Sequence, residues 1–340
     1  MIRVLVVDDS ETFRSYAVQI LESDPEISVV GCASTGQQAV EMVARLKPTI
    51  VTMDALMPDL DGVEATERIL QSYRVPIIIV SAVASGHHGV RALGAGAVDA
   101  VAKPSGGADR ERFRAQLLQS VKLLNEVPIL LRRLGPCPVS SRRLPRSGGK
   151  AKAIKVIAIG ASTGGPGVIN LIFQMLPPEF RPAIVIAQHI GEGFDRFLVD
   201  WWSQSTTRPI RLAAPETPLT PGTALVAPAN RHLLINHDGP TTCKPTAGET
   251  FVPSIDRLFE SVAATFGAAA AGLLLSGMGD DGAAGMLAMK SAGARTAVQD
   301  PSSAVVASMP ERALAIGAAT TVLRPEEMAE WVGEITTSTA

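Results

Sequence analysis

The sequence predicts an α/β protein made of two doubly wound parallel-sheet domains joined by a linker. In both halves, short apolar segments that end in glycine, serine or an acid alternate with stretches of helical spacing, which is typical of mostly parallel sheets. Between the halves, a segment rich in Pro, Ser, Gly, Arg and Lys lacks any sustained apolar period. The 340 residues, 46% of them hydrophobic, provide enough material for two cores. We therefore predict domains at 1–122 and 153–340, with a linker at 123–152.

Four apolar segments of the first domain end in side chains suited to a metal ion and a phosphoryl group. The residues at or just after their ends are Asp8, Asp9, Asp54, Ser81 and Lys103. Because the carboxyl ends of parallel strands meet at one edge of a sheet, we expect these side chains to lie together. Carboxylates bind Mg²⁺, while an ammonium group and a hydroxyl meet phosphoryl oxygens. Each residue alone is equally well explained as a solvated turn residue, so the prediction depends on the joint pattern.

The segment RERFRAQLLQSVKLLNEV predicts the last helix of the first domain, because apolar residues recur on one of its faces. These residues are Phe113, Leu117, Val121 and Leu124. The basic residues of the linker that follows can meet nucleic acid or an anionic membrane surface. No aromatic residues interleave with them, however, and no amphipathic helix forms, so a solvated hinge is the favoured interpretation.

The most informative segment of the second domain is IKVIAIGASTGGP, in which an apolar run stops at a glycine-rich turn. Gly160, Ser162 and Gly164 match G-x-S-x-G, a strand-to-helix turn that lifts a hydroxyl above a parallel sheet. This makes Ser162 a candidate nucleophile. Small residues also suit a turn that only closes a loop or holds a phosphate. The turn has no lysine to reach a phosphate, which disfavours nucleotide binding.

A serine nucleophile needs a histidine to take its proton and a carboxylate to orient that histidine. His189 follows the apolar segment AIVIAQ and is expected at the same sheet edge as Ser162, the alternative being a satisfied core histidine. Asp280 and Asp281 follow another buried segment, and we expect one to orient the histidine and the other to cap the next helix. Surface or turn positions are predicted for the other histidines, which are His87, His88, His232 and His237.

One part of the second domain departs from the parallel pattern. The segment LVAPANRHLLINHDG predicts an antiparallel pair of strands that turns at Pro228, Ala229 and Asn230. A doubly wound sheet tolerates such a hairpin at one edge. The predicted fold of this domain is therefore α/β with an added antiparallel hairpin.

The segments GASTGG, AQHI and SGMGDDGAAGM together resemble the catalytic domain of the chemotaxis protein-glutamate methylesterases, also described as protein-glutamine glutaminases. Their order of Ser, His and Asp differs from the Ser, Asp, His order of α/β-hydrolases. The resemblance implies a triad of Ser162, His189 and Asp281, the second acid of GMGDDG. It also implies that Thr163 and Met278 assist the oxyanion.

The four strand ends of residues 1–122 resemble those of the response-regulator receiver domain, which has a flavodoxin-like fold. The resemblance implies that Asp54 accepts a phosphoryl group and that Ser81 and Lys103 contact its oxygens. The implied ligands of Mg²⁺ are Asp8, Asp9, Asp54 and the Leu56 carbonyl.

Two residues depart from the receiver pattern. Leu56 stands where receivers of these methylesterases often have an acid, and Ala100 stands where an aromatic residue commonly reports phosphorylation by swinging inward. Neither change removes a group that the phosphoryl chemistry needs. Both bear on how the signal reaches the output domain.

Together the two resemblances imply a phosphorylation-regulated serine hydrolase of a two-component system. It would demethylate glutamate methyl esters and deamidate glutamines on chemoreceptors, which sets sensory adaptation, with a histidine kinase as phosphodonor and no cofactor in the catalytic domain. One alternative is a receiver-controlled esterase acting on a small or non-chemoreceptor ester. Another is a receiver joined to a non-catalytic output domain. A DNA-binding output needs a basic recognition helix, whereas residues 251–340 are strand-rich at their centre and end with the acidic MAEWVGEI.

The composition disfavours several other classes. A formal net charge of −2 gives no reason to expect a nucleic-acid partner. No signal-peptide pattern precedes Asp8, and VAATFGAAAAGLLLS is too short and too interrupted by glycine to span a bilayer. We therefore expect a cytoplasmic protein without direct membrane insertion. Cys32, Cys137 and Cys243 are too few and too far apart to indicate a disulfide framework or a zinc site.

Overall fold

The computed structural model describes residues 1–82, 86–107, 109–126, 153–214, 217–245, 249 and 251–337. Contacts within the chain divide it into two units, each built on its own parallel sheet. The predicted fold class is therefore confirmed. Most of the predicted linker, residues 127–152, lies outside the described residues, and so does Cys137. Cys32 and Cys243 are unbridged.

In the described part of the first unit, five strands alternate with five helices. They are β1 (Ile2–Val7), α1 (Glu11–Leu21), β2 (Ile27–Ala33), α2 (Gly36–Leu46), β3 (Ile50–Met53), α3 (Gly62–Ser72), β4 (Ile77–Ser81), α4 (Gly86–Gly94), β5 (Asp99–Ala102) and α5 (Asp109–Glu126). The strands are parallel, in the order β2-β1-β3-β4-β5. The strand order reverses at β1, and Asp8 and Asp54 follow the neighbouring strands β1 and β3. Ligands of doubly wound sheets bind at such a switch point.

Local sequence determines where the helices of this unit begin. Backbone N–H groups in the first turns of α1, α2 and α3 donate to the capping side chains of Ser10, Thr35 and Asp61. The last helix buries the face that the sequence predicts, made of Phe113, Leu117, Val121 and Leu124. It continues to Glu126, past the predicted domain end at residue 122, because this apolar face itself extends to Leu124.

Beyond residue 153 the chain builds the second sheet. Its elements are β6 (Val156–Ala161), α6 (Gly165–Met175), β7 (Ala183–Gln188), α7 (Asp195–Gln204), β8 (Ile210–Leu212), β9 (Ala224–Val226), β10 (His232–Asn236), β11 (Gly239–Cys243), α8 (Ile255–Phe266), β12 (Ala270–Leu274), α9 (Ala283–Ser291), β13 (Arg295–Gln299), α10 (Ser308–Ala315), β14 (Thr321–Leu323) and α11 (Pro325–Thr337). The sheet is parallel, in the order β14-β13-β12-β6-β7-β9-β8. The central strands β12, β6 and β7 are buried along their whole length, as strands covered on both faces must be.

The predicted hairpin is present, but its strands and its turn differ from the prediction. Strand β9 stays in the main sheet between β7 and β8, because its three apolar residues are all buried there. The hairpin instead joins β10 to β11 in a separate antiparallel sheet, with a turn after Asn236. Gly239, at the end of that turn, has a φ of +117°, which the Asp-Gly pair of the sequence accommodates. Side chains of α8 hold β10, since the Ile235 N–H donates to Ser261 Oγ and its carbonyl accepts from Thr265.

Among the residues that the structure describes, no helix combines the length and the apolar character needed to cross a membrane.

Candidate active site and phosphorylation site

The turn that carries Ser162 needs its glycines for space and for backbone conformation. A Cβ at Gly160 would lie 2.2 Å from Ile255 Cγ2. Gly164 has a φ of +82°, and a Cβ there would lie 2.6 Å from Val305. The Ser162 N–H donates to the Ser276 carbonyl at 3.0 Å, which ties this turn to the turn after β12. The hydroxyl is therefore held at the edge where the central strands end.

His189 and Asp281 form a hydrogen-bonded pair at the same edge. Nε2 of the imidazole lies 2.8 Å from Oδ2 of the carboxylate. An ionised carboxylate only accepts hydrogen bonds, so Nε2 carries the proton and Nδ1 is left as the basic nitrogen. The His189 N–H also donates to the carbonyl of Ala161, the residue before Ser162, at 2.9 Å. The chain thus places the imidazole and the serine on adjacent strand ends.

The Asp281 carboxylate is held by the start of α8. Oδ2 accepts from the Ile255 N–H at 2.8 Å, and Oδ1 accepts from the Asp256 N–H at 2.9 Å and from Ser254 Oγ at 3.1 Å. Burial raises the pKa of this carboxyl, but the imidazole and the two backbone donors outweigh burial and hold the pKa below its ordinary value of 3.8. The carboxylate is therefore charged in the pH range where the imidazole must act as a base.

The other acid of the pair, Asp280, is exposed to solvent. The expectation that one of the two acids caps α9 is wrong. Asp256, in the first turn of α8, caps that helix instead, because its Oδ1 accepts from the N–H groups of Gly282 at 2.9 Å and Gly285 at 2.6 Å. The cap comes from a residue distant in sequence, so the local pattern before α9 does not reveal it.

The Ser162 hydroxyl and the His189 imidazole are not joined by a hydrogen bond within the described residues. Such catalytic hydrogen bonds are often long in unliganded enzymes and tighten when substrate binds. The two residues are connected through the backbone contacts already described. The arrangement places a serine hydroxyl at the same sheet edge as an imidazole that a carboxylate orients.

The turns that carry Thr163 and Met278 both border Ser162. Ser276 Oγ donates to the Thr163 carbonyl at 2.7 Å, and a Cβ at Gly277 would lie 2.6 Å from Ser162 Cβ. Ser308 pins the second turn from the other side, because its hydroxyl donates to the Gly277 carbonyl at 3.0 Å and accepts from the Gly279 N–H at 3.1 Å. Backbone atoms of both turns thus lie close to the serine.

His232 contradicts the sequence prediction of a surface or turn position. Its side chain is fully buried, and Nε2 contacts Glu249 Oε2 at 2.6 Å while Nδ1 accepts from the Ser254 N–H at 3.0 Å. Glu249 also pairs with Arg257 at 2.6 Å. The carboxylate satisfies a histidine that β10 carries into the core, and no local sequence signal links the two residues. The exposed side chains of His87 and His237 and the half-buried side chain of His88 agree with the prediction.

Two further residues near the triad give no sequence signal of their own. Ser254 is the N-cap of α8 and a donor to Asp281. Phe251 stacks on the His189 ring with centroids 5.2 Å apart and planes 4° apart. Apolar runs and turn motifs in the sequence indicate the candidate triad residues. Ser254 and Phe251 instead lie in the irregular segment before α8.

In the first unit, the predicted acids and the lysine converge at the switch point of the sheet. The carboxylates of Asp8, Asp9 and Asp54 lie within 4.8 Å of one another and can hold a metal ion. Lys103 Nζ lies 2.6 Å from Oδ2 of both Asp8 and Asp54. Burial alone would lower the pKa of this ammonium group, but its hydrogen bonds to the two carboxylates raise it. Burial also raises the pKa of Asp8.

The remaining predicted residues of this site lie beside Asp54. Leu56 follows closely, and its N–H donates to Asp54 Oδ1 at 3.3 Å while its side chain is exposed. The Ser81 hydroxyl is fully buried and has no hydrogen-bond partner among the described residues. Burying such a group without a partner costs free energy, which a phosphoryl oxygen at Asp54 would recover.

Comparisons with known proteins agree with this two-unit architecture. A family described as "CheB methylesterase" matches residues 157–332, and one described as "Response regulator receiver domain" matches residues 4–115. A protein-glutamate methylesterase/protein-glutamine glutaminase from Geobacter metallireducens is 41% identical, covering 96% of this chain and 97% of its own length. One of the same name from Syntrophus aciditrophicus is 40% identical over the full length of both chains.

A solved structure agrees with the second sheet. The crystal structure of the Thermotoga maritima CheB methylesterase catalytic domain has a TM-score of 0.52 and 26% identity, covering 54% of this chain and all of that one. The two family models place the methylesterase region after the receiver region. The chain therefore belongs to the CheB methylesterase family, the receiver-regulated protein-glutamate methylesterase/protein-glutamine glutaminases.

Proposed function

We propose that this chain hydrolyses glutamate methyl esters and glutamine side-chain amides of proteins with Ser162 as nucleophile, His189 as general base and Asp281 as the orienting acid. The observation that carries the proposal is the 2.8 Å hydrogen bond from His189 Nε2 to Asp281. It leaves Nδ1 as the basic atom of an imidazole that follows β7, beside the strand that leads to Ser162.

In the first step Ser162 Oγ attacks the ester carbonyl carbon, and its proton passes to His189 Nδ1. The carbonyl oxygen becomes an oxyanion, which backbone N–H groups of the turns bearing Thr163 and Met278 stabilise. The imidazolium then protonates the leaving oxygen, and methanol departs from the acyl-enzyme. A water molecule, deprotonated by the same nitrogen, hydrolyses the acyl-enzyme to glutamate and restores Ser162. From a glutamine side chain the leaving group is ammonia.

We propose chemoreceptors as the substrates and a histidine kinase as the phosphodonor. The names of the full-length relatives specify protein-bound glutamate and glutamine, which supports a protein substrate. The receiver domain supports a kinase as phosphodonor. In the receiver, Asp54 accepts the phosphoryl group, while Ser81 and Lys103 bind its oxygens.

The acidic cluster of the receiver fits a divalent cation, because its three carboxylates lie close together and offer only oxygen ligands. Asp8, Asp9 and Asp54, with the Leu56 carbonyl, would hold Mg²⁺. When bound, the ion offsets the negative charge that carboxylates and a phosphoryl group bring together. Lys103 supplies the remaining positive charge at the site.

The release of methanol from a methylated chemoreceptor fragment tests the proposed roles. Ser162→Ala and His189→Ala should each lower the turnover on the order of 10³-fold or more, because members of a triad act as a unit. Asp281→Asn should lose about as much, since the wrong imidazole tautomer then faces the serine. Asp280→Asn is the matched control, and we expect it to keep turnover within about twofold because surface changes rarely matter.

A reversed pattern, with Asp280 sensitive and Asp281 tolerant, would overturn the assignment of the orienting acid. Comparison with a small chromogenic ester tests the substrate. A preference for the small ester over the methylated receptor would favour the alternative of a receiver-controlled esterase with another substrate.

A further inference from the structure

Phe251 lies against two parts of the candidate active site at once. Its ring is nearly parallel to the His189 imidazole, at 4° between planes and 5.2 Å between centroids. The edge of the same ring covers Gly279, where an added Cβ would lie 3.1 Å from Phe251 Cζ. Gly279 follows Met278 in the turn that borders Ser162. One partly buried side chain therefore contacts both the base and the turn beside the nucleophile.

The imidazole needs a second restraint besides its bond to Asp281. A single hydrogen bond at Nε2 fixes the distance to the carboxylate, but it allows the ring to pivot about the line between the two atoms. Such a pivot would move Nδ1 away from the Ser162 hydroxyl. A flat aromatic face in parallel contact opposes this motion, because tilting either ring loses the stacking contact.

The chain also fixes Phe251 close to the groups that hold the carboxylate. Only Val252 and Pro253 separate it from Ser254, which caps α8 and donates to Asp281. One short segment thus supplies a ring to the imidazole and donors to its partner acid. The base and the acid are positioned from the same piece of backbone.

We infer that Phe251 is a positioning residue of the hydrolase, which fixes the plane of the His189 ring so that Nδ1 faces Ser162. The inference rests on the proposed catalytic roles of these two residues. Its effect falls on the chemical step, because the ring holds the base and not the substrate.

Steady-state hydrolysis of a methylated receptor fragment by the full chain tests this role. Phe251→Leu, which keeps apolar bulk but removes the flat face, should lower kcat by about three- to tenfold and leave KM within about twofold. Phe251→His restores a flat ring. The imidazole is smaller than the phenyl ring and does not reach past the position of Cζ, the phenyl atom that faces Gly279. Measured at about pH 8, where an ordinary imidazole is neutral, it should recover at least half of the lost rate.

Phe266→Leu is the matched control, because Phe266 is a partly buried aromatic residue at the far end of α8. It should lower stability without changing kcat.

Unchanged kcat in Phe251→Leu, or equal losses in the Leu and His variants, would overturn the inference. If thermal unfolding shows that Phe251→Leu is not folded, the Phe251→His variant alone decides. A kcat of Phe251→His below half of the wild-type value then contradicts the role. An active Ser162→Ala enzyme would instead refute the proposed catalytic roles.

Discussion

The Asp281 carboxylate combines deep burial with full hydrogen bonding. It accepts from one imidazole, one hydroxyl and two backbone N–H groups. Burying a charge is costly unless such partners replace water, and here they more than offset burial, since the pKa lies below its ordinary value. The same bonds that orient the base therefore also stabilise the fold.

This lowered pKa predicts how stability depends on pH. A carboxyl whose pKa is lower in the folded state stabilises the fold above its unfolded pKa, and the stabilisation is lost as the pH falls through the folded value. Asp281→Asn should therefore lower the free energy of unfolding by about 1–3 kcal/mol at pH 7, with the difference shrinking steadily below about pH 4. Burial and the Asp281 charge both raise the pKa of Asp256, which means that they destabilise its charged form. Removing the Asp281 charge relieves Asp256 of this repulsion, which offsets part of the stability lost in Asp281→Asn.

Urea unfolding of the full chain, followed by tryptophan fluorescence, measures this difference. All of the tryptophans, Trp201, Trp202 and Trp331, lie beyond residue 153, so the signal reports the unit that contains Asp281. Asp280→Asn serves as the control and should follow the wild type at every pH. A stability gap for Asp281→Asn that persists unchanged at pH 3 would contradict the charge-based explanation.

Sequence reasoning reaches the residues at strand ends and misses those that act across loops. The placement of Ser162, His189 and the Asp280-Asp281 pair follows from apolar runs that stop at small or polar residues, because parallel strands deliver their ends to one edge. The choice of Asp281 within the pair comes from the family resemblance. His232 contacts Ser254, and Phe251 contacts His189, and in each case the two partners lie far apart in the chain. Nothing in the local sequence encodes such contacts.

At the scale of elements, the start of α8 connects helix stability to the candidate active site. Ser254 Oγ accepts from the Arg257 N–H, which caps the helix, and donates to Asp281. Removing an N-cap hydroxyl costs about 1 kcal/mol. Here the same hydroxyl also holds the carboxylate that orients His189, so its removal should affect both stability and turnover.

Ser254→Ala should lower the stability of the second unit by about 1 kcal/mol and reduce kcat by about three- to tenfold. Ser261→Ala on the same helix is the matched control, because its hydroxyl bonds the Ile235 N–H and the Leu258 carbonyl, away from Asp281. It should cost similar stability and leave kcat unchanged. Urea unfolding and ester hydrolysis measure the two effects, and equal kcat values for the two variants would disprove the link to Asp281.

The hairpin shows the limit of sequence reasoning for elements. The presence of two short antiparallel strands was predictable, whereas their pairing was not. The segment before Pro228 reads as a hairpin arm, but its burial between β7 and β8 decides its place in the main sheet. Tertiary burial outweighs the turn signal, and the actual turn is His237-Asp238, followed by Gly239 at the start of β11.

At the scale of the whole molecule, two sheets carry two separate kinds of chemistry. The receiver cluster offers oxygen ligands for a cation, whereas the candidate triad consists of a hydroxyl, an imidazole and one carboxylate. Ala100, buried on β5, occupies the position of the usual aromatic reporter. The proposed phosphoryl site thus has its carboxylates and its lysine together, whereas alanine stands where the receiver resemblance implies an aromatic relay residue.

Removing Mg²⁺ should separate the two chemistries. A chelator should abolish labelling of Asp54 by a small acyl phosphate, because the ion offsets the charge at the phosphoryl site. It should leave the basal ester hydrolysis of the unphosphorylated chain unchanged. Asp54→Asn should mimic the chelator in both assays, and Asp59→Asn, a change of a nearby acid outside the cluster, is the control. Persistent label in Asp54→Asn would place the acceptor elsewhere.

The caps of α8 and α9 are exchanged, since Asp281 before α9 binds the start of α8 and Asp256 in α8 binds the start of α9. Neither helix start can fray without releasing the carboxylate that the other needs. We therefore expect the amide protons of Ile255, Asp256, Gly282 and Gly285 to exchange with solvent only when a larger cooperative segment opens. The proposed orienting acid should consequently belong to the slowly opening interior of its domain, and its geometry should persist until that interior unfolds.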